Sequence, residues 1–316
     1  MDEKNDYEQL NNVVVPHHKS GVTVGRFAAE GLLFLKDTDA KRRPVMCDMS
    51  QSFINVFPEL IRLFLRHDGR EAEIRGDNWK EYYLNVQDEG SGFNMDLHSS
   101  GKIPPVSLYF GSCWSLDDAN VTAPLAKCNF HFPLPWLKRN APEFINHFKT
   151  WCQILQPEQG TFGLSIVHSP FSRKMRTLDA WPYLARFSGL DRYTTFDWYA
   201  PEFHSGIRAV NWLTVLDNVW VDRLGGIETI RSGLYEEGQV HTYDGGIIVQ
   251  ASTHPQLGDI NLSGVPEAYV AVDKLIAAHR FVDYPDTPNG LFKVPAPLDR
   301  HVTMLEWLRR FEPKAG

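Results

Sequence analysis

Apolar positions along the chain follow two periods, and the switches between them predict the elements. Val22–Leu35 mixes small and apolar residues around Gly25 and Gly31 and reads as a strand with a bend, followed by a charged turn from Asp37 to Pro44. After Pro58, the residues Leu60, Ile61, Phe64 and Leu65 fall at helical spacing, and Asp68-Gly69 stops the pattern. Strand-like runs at Glu81–Val86 and Val106–Phe110 follow. A second helix opens at Pro142-Glu143, with Phe144, Ile145, Phe148, Trp151, Cys152 and Leu155 as a wide apolar stripe. Pro157 ends it, and Thr161–His168 is the next strand. Ile207–Leu224 begins strand-like and ends helical, and Ile227–Leu234 reads as a short helix. Gln239–Tyr243 and Ile247–Ala251 flank Asp244-Gly245-Gly246, a hairpin signal because Gly supplies the positive φ of a tight turn. Pro266 opens a helix with Tyr269, Val272, Leu275 and Ile276 on one face; Val302, Leu305, Leu308 and Phe311 mark a last one.

Strands and helices interspersed without regular alternation predict an α+β fold. The helices at Pro58 and Pro142 share Pro, Glu, Ile and Phe at matching positions, and each lies between extended stretches. That suggests a duplicated strand–helix–strand unit, against the simpler reading that Pro-Glu is a common helix opening. Two lobes are therefore expected, residues 1–120 and 121–316, with residues 1–20 polar and expected to be mobile.

Composition narrows the function classes. The 316 residues are 43% hydrophobic and 22% charged, close to the globular average, with nine Trp and nineteen Phe to build a core. The net charge of -7 opposes general nucleic-acid binding, which needs a basic surplus to displace counterions. The start Met1-Asp2-Glu3-Lys4 lacks the apolar run of a secretory signal, and the longest apolar stretches are too short to span a bilayer. Cys47, Cys113, Cys128 and Cys152 form no Cys-x-x-Cys pair. The expectation is a cytoplasmic protein with free thiols and no membrane or nucleic-acid partner.

No phosphate-binding loop, Gly-x-Ser-x-Gly elbow or His-Glu-x-x-His motif is present, so neither a catalytic residue nor a cofactor is expected. His241, His254 and Asp259 could converge around the hairpin as metal ligands of an uncharacterised enzyme, an alternative set beside satisfied structural histidines. Charge, however, is segregated. Between Arg231 and Lys274 there is no Lys or Arg, while six acids occur: Glu236, Glu237, Asp244, Asp259, Glu267 and Asp273. Lys127 to Arg192 carries nine basic residues against four acids. Either the two segments neutralise each other across the fold, or the acidic one is a loop-rich face for a basic partner.

In the same region lies an ordered series: Val210-Asn211-Trp212-Leu213-Thr214-Val215-Leu216, Leu224-Gly225-Gly226, Gly245-Gly246-Ile247-Ile248-Val249-Gln250-Ala251 and Pro255-Gln256-Leu257-Gly258-Asp259-Ile260-Asn261. It resembles the type VI secretion immunity proteins of the TsiT and TsiV kind, over roughly residues 20 to 280, with residues 211–261 its most specific part. The stretches Pro58–Arg66 and Ser165–His168 look like further family features. The resemblance implies a binder without catalytic residues, whose partner is a toxin injected into competing bacteria, mostly a restriction-endonuclease-like nuclease. A structural adaptor of the secretion apparatus is the other non-enzymatic reading. On the immunity reading, the loops of residues 232–273 are the expected docking face. Glu236, Glu237, Asp244 and Asp259 would be the charged contacts, and Tyr235 and Tyr243 the anchors.

Overall fold

A computed structural model describes residues 7–35, 39–86, 93–99, 109–113, 126–167, 177–192, 205–282 and 293–312. One antiparallel sheet organises them. In spatial order its strands are β10 (Gln239–Tyr243), β11 (Gly246–Gln250), β9 (Leu213–Asp217), β8 (Pro157–Val167), β2 (Thr23–Leu35), β7 (Ala126–Phe132), β6 (Tyr109–Cys113), β5 (Phe93–His98), β3 (Leu63–Leu65) and β4 (Glu71–Glu73). β1 (Val14–Pro16) adds to β2. With helices gathered on such a sheet, the fold is α+β, as the sequence pattern predicts.

β2 is the hub. Its thirteen residues pair with β8 from Arg26 to Leu35 and with β7 from Ala29 to Leu35. Register explains its composition. Gly31 stands opposite both Phe130 and Phe162, and a Cβ there would lie 2.4 Å from the Phe130 ring. Glycine thus leaves room for two aromatics to meet over the strand. On that face the helices α2 (Asp39–Val56) and α4 (Leu134–Leu155) close the core. Phe144 of α4 lies 4.2 Å from Phe162, Trp151 5.0 Å from Phe130, and Phe53 of α2 5.4 Å from Trp151, measured between ring centroids. Large rings at these separations gain beyond the apolar area they bury. The opposite face of β2, β7 and β8 carries Glu30, Asn129, His131, Thr161 and Ser165, all buried.

The remaining helices are α1 (Tyr7–Asn11), α3 (Asn78–Asn85), α5 (Thr177–Arg186), α6 (Asn218–Arg223), α7 (Ile227–Ser232), α8 (Glu267–Ile276) and α9 (Arg300–Leu308). Four sequence expectations are corrected. Pro58 lies in a turn after α2, and Leu63–Leu65 is a strand, so no helix follows Pro58. Residues 39–44, expected as a turn, open α2 instead, with Pro44 inside it. Glu81–Val86 is not a strand: residues up to Asn85 belong to α3, whose Trp79 and Tyr83, four apart, are buried together. Residues 7–20 are not a free tail, because α1 and β1 form within them and the Tyr7 hydroxyl donates to the Pro255 carbonyl at 2.8 Å.

Pro142, for its part, sits within α4 just after a kink at Asn140 (φ -126°), where the proline lacks the N–H that would bond to the Lys138 carbonyl. Pro58 and Pro142 therefore occupy unrelated settings, and the structure does not show the duplication. The expected lobe boundary near residue 120, like Val106–Ser107–Leu108 and His168, falls outside the described residues.

Candidate partner-binding cleft

Two loops and two helix ends line a cleft of about 880 Å³. Its walls are Tyr235 and Glu237 from the turn between α7 and β10, Gln256–Asp259 and Leu262–Val265 from the loop before α8, and Pro266–Ala268 at the start of α8. Gln9 and Leu10 of α1 line the cleft as well.

Rigid backbone underlies the loop. Ser188 N–H donates to the Gly258 carbonyl at 2.9 Å, Gly189 N–H to Leu257 at 2.8 Å, and Ile260 N–H to Arg186 at 3.0 Å. Gly258 has φ +63°, and a Cβ there would come within 2.4 Å of Ser188 Oγ and 2.5 Å of Pro266 Cδ, so only glycine fits. Asp259 is the clasp of this loop. Its carbonyl accepts from the N–H groups of Leu262, Ser263 and Gly264, and its carboxylate accepts from Asn261 N–H at 3.0 Å. Arg186 Nε lies 3.1 Å from both carboxylate oxygens, and its Nη2 lies 2.7 Å from Oδ2. Hydrogen bonding from Arg186 and Asn261 holds the Asp259 carboxyl below the usual carboxylate range.

This fixed loop projects aliphatic side chains into water. Leu262 is 69% exposed, the most of any large apolar residue among those described, and Ile260 is 50% exposed. Tyr235 is 44% exposed, and the neighbouring Glu267 carboxylate pushes the phenol's pKa up.

The six sequence-predicted residues separate accordingly. Glu236 and Glu237 are exposed at the central positions of a β-turn closed by Gly238 N–H on the Tyr235 carbonyl at 2.8 Å. Tyr235 and Glu237 line the cleft. Asp244 is exposed at the far end of the β10–β11 hairpin, where its N–H donates to Gln153 Oε1 at 2.9 Å. Tyr243 is buried with its hydroxyl 3.5 Å from the Pro157 carbonyl, so it belongs to the core and offers no anchor. Asp259 is committed to Arg186, and Asp273 to Arg280 at 2.5 Å. Two of the six acids are thus neutralised internally. Cross-fold neutralisation accounts for Asp259, since Arg186 comes from the basic segment. It leaves Glu236, Glu237 and Glu267 without an ion-pair partner among the described residues.

Sequence reasoning missed Ile260 and Leu262 as surface features, and it counted Glu267 among the acids of the segment without naming it as a contact. The signal was available as two large aliphatics inside the turn-forming run Asp259-Ile260-Asn261-Leu262-Ser263-Gly264.

The metal alternative does not assemble. His241 Nε2 is 2.8 Å from Gln250 Oε1, and Asp259 is held by Arg186. Among the described residues the one cluster with ligand-like proximity is His17, His18 and Asp179, whose ligand atoms lie within 4.8 Å of one another. Their hydrogen bonds explain them: His18 Nδ1 is 2.7 Å from Asp179 Oδ1, and His17 Nδ1 accepts from the Lys19 and Ser20 N–H groups. Also among the described residues, no helix is long and apolar enough to cross a membrane.

An antiparallel sheet backed by aromatic helices thus carries a cleft lined by Glu237 and Glu267 and edged by the exposed Tyr235 and Leu262. The chain belongs to the TsiV family, described as type VI immunity for VRR-NUC, whose profile matches residues 46–311. The fold is similar to that of a Pseudomonas aeruginosa T6SS protein, PA0821, with a TM-score of 0.77 and 21% identity over 92% of this chain and 86% of that one. The curated proteins contain no match to the sequence.

Proposed function

We propose that this chain is an immunity protein that binds a cognate VRR-NUC nuclease delivered by type VI secretion and thereby protects the cell that makes it. The observation that carries this reading is the family match across residues 46–311. Physical chemistry supports it from the side of the partner. A nuclease must present basic residues to phosphates and hold a divalent metal with carboxylates. A partner with net charge -7 and a cleft lined by Glu237 and Glu267, neither in an ion pair among the described residues, has the sign needed to meet such a surface. Inhibition by binding needs no chemistry of its own, so the chain has no catalytic role in this account. The protein acts in the cytoplasm, where an injected nuclease meets the chromosome.

The test is co-expression of this chain with a VRR-NUC nuclease from the organism that makes it. Growth and intact chromosomal DNA are expected with the pair, and DNA loss with the nuclease alone. The two purified proteins are expected to co-elute as a stoichiometric complex. Undiminished DNA degradation in cells that contain the folded chain would overturn the reading.

A further inference from the structure

We infer that the cleft between the Tyr235–Gly238 turn and the start of α8 is where the toxin docks, through a basic segment of its DNA-binding face that also packs an apolar contact over Leu262. The inference rests on the immunity function proposed above and specifies its surface.

Two independent features of the cleft point to such an occupant. The first is charge. Glu237 and Glu267 on its walls, and Glu236 beside Glu237 in the same exposed turn, have no ion-pair partner among the described residues, and the chain from residue 232 to 273 contains no Lys or Arg to supply one. Concave walls with one sign of charge concentrate the field on an incoming cation. The second is apolar. Tyr235 and Leu262 line the cleft, Ile260 lies two residues before Leu262 on the same loop, and the three belong to the nine large hydrophobic residues that are exposed among those described. The loop bearing two of them is clasped by Asp259 and Arg186, so its conformation is set before any partner arrives. Leaving a fixed Leu at 69% exposure forgoes burial in the free protein, and a partner that covers it recovers that contribution. Acids around an apolar anchor match the division of labour at interfaces, in which charge speeds encounter and a buried side chain slows release. The occupant is therefore a Lys- or Arg-bearing element with an aliphatic or aromatic residue beside its cations.

Binding kinetics separate the two parts. The probe is a catalytically inactive form of the VRR-NUC nuclease used in the co-expression test. Glu236→Lys with Glu237→Lys is expected to slow association about tenfold at low salt, with the difference shrinking as salt rises. Leu262→Ser is expected to raise Kd about tenfold, mainly through faster dissociation. Val302→Ser, at an exposed position on α9 outside the cleft lining, serves as control and should bind like the parent. All four positions are exposed, so folding is retained and is verified by an unchanged Tm. A photo-crosslinking residue at 262 should capture the nuclease directly. If the parent protein binds and both cleft variants bind within twofold of it, the cleft is not the interface and the immunity function stands. If the parent itself does not bind, that function falls and the inference falls with it.

Discussion

Asp259 shows how a side chain's type can be legible while its duty is not. An Asp in Pro255-Gln256-Leu257-Gly258-Asp259 suits either a partner contact or a loop clasp, and only the position of Arg186, 73 residues away, decides for the clasp. Sequence spacing carries no information about so distant a partner. Tyr243 failed as an anchor for a similar reason, because strand alternation leaves open which face meets the core. Glu30 carries a prediction at this scale. It lies on the buried face of β2, bonded by the Ser165 hydroxyl, and burial pushes its carboxyl up to about 7. A raised pKa means the folded state favours the protonated form. Its contribution to stability is complete below the unfolded value of 4.5 and is lost as pH rises through about 7. Glu30→Gln keeps a neutral, planar side chain of nearly the same size as the protonated carboxyl and removes the titration. Urea midpoints at pH 5 and pH 8 are expected to show the variant gaining on the parent by up to about 3 kcal/mol at the higher pH. Parallel pH profiles would show that Glu30 does not titrate in this range.

Elements were legible where the local signal and the tertiary setting agreed. The β10–β11 hairpin was visible because Gly245-Gly246 supplies a turn, and Gly245 adopts φ +102°. α8 was visible because Pro266 precedes a clean stripe ending at Ile276. The stretch after Pro58 misled because Leu60, Ile61, Phe64 and Leu65 match a helical period over too few residues, and pairing of Leu63–Leu65 with both β4 and β5 overrides it. The α4–sheet interface makes a prediction at this scale. Phe162 of β8 touches Phe130, Phe132, Phe144, Phe148 and Trp212. Phe162→Ala would leave a cavity where five rings converge, and a loss of about 3–5 kcal/mol is expected from equilibrium denaturation. Val302→Ala on α9, at a position 53% exposed, should change stability by less than about 0.5 kcal/mol. Comparable losses at both sites would mean that the aromatic cluster is not the core that holds α4 to the sheet.

For the whole molecule, the question is whether the halves on either side of residue 120 can stand alone. Connectivity argues that they cannot. β2 comes from the first half, yet its neighbours β7 and β8 both come from the second, with ten register pairs to β8 and seven to β7. Removing β2 would expose two long unpaired edges in the middle of the sheet, a setting that favours aggregation. It would also uncover Phe130 and Phe162, which meet over Gly31. The N-terminal end is tied across the chain as well, through the Tyr7 hydroxyl on the Pro255 carbonyl. This arrangement was beyond the sequence pattern, because periodicity reports which stretches are strands and not which strands are neighbours. Heating is therefore expected to give one transition in which calorimetry, far-ultraviolet circular dichroism and tryptophan fluorescence coincide. A fragment of residues 121–316 is expected to be insoluble or unfolded when expressed alone. Adding residues 1–120 as a separate chain should recover soluble complex, because β2 can then insert between its two partners. Two resolved transitions, or a fragment of residues 121–316 that melts cooperatively by itself, would show that the sheet is assembled from autonomous lobes, with β2 contributing contact but not the fold.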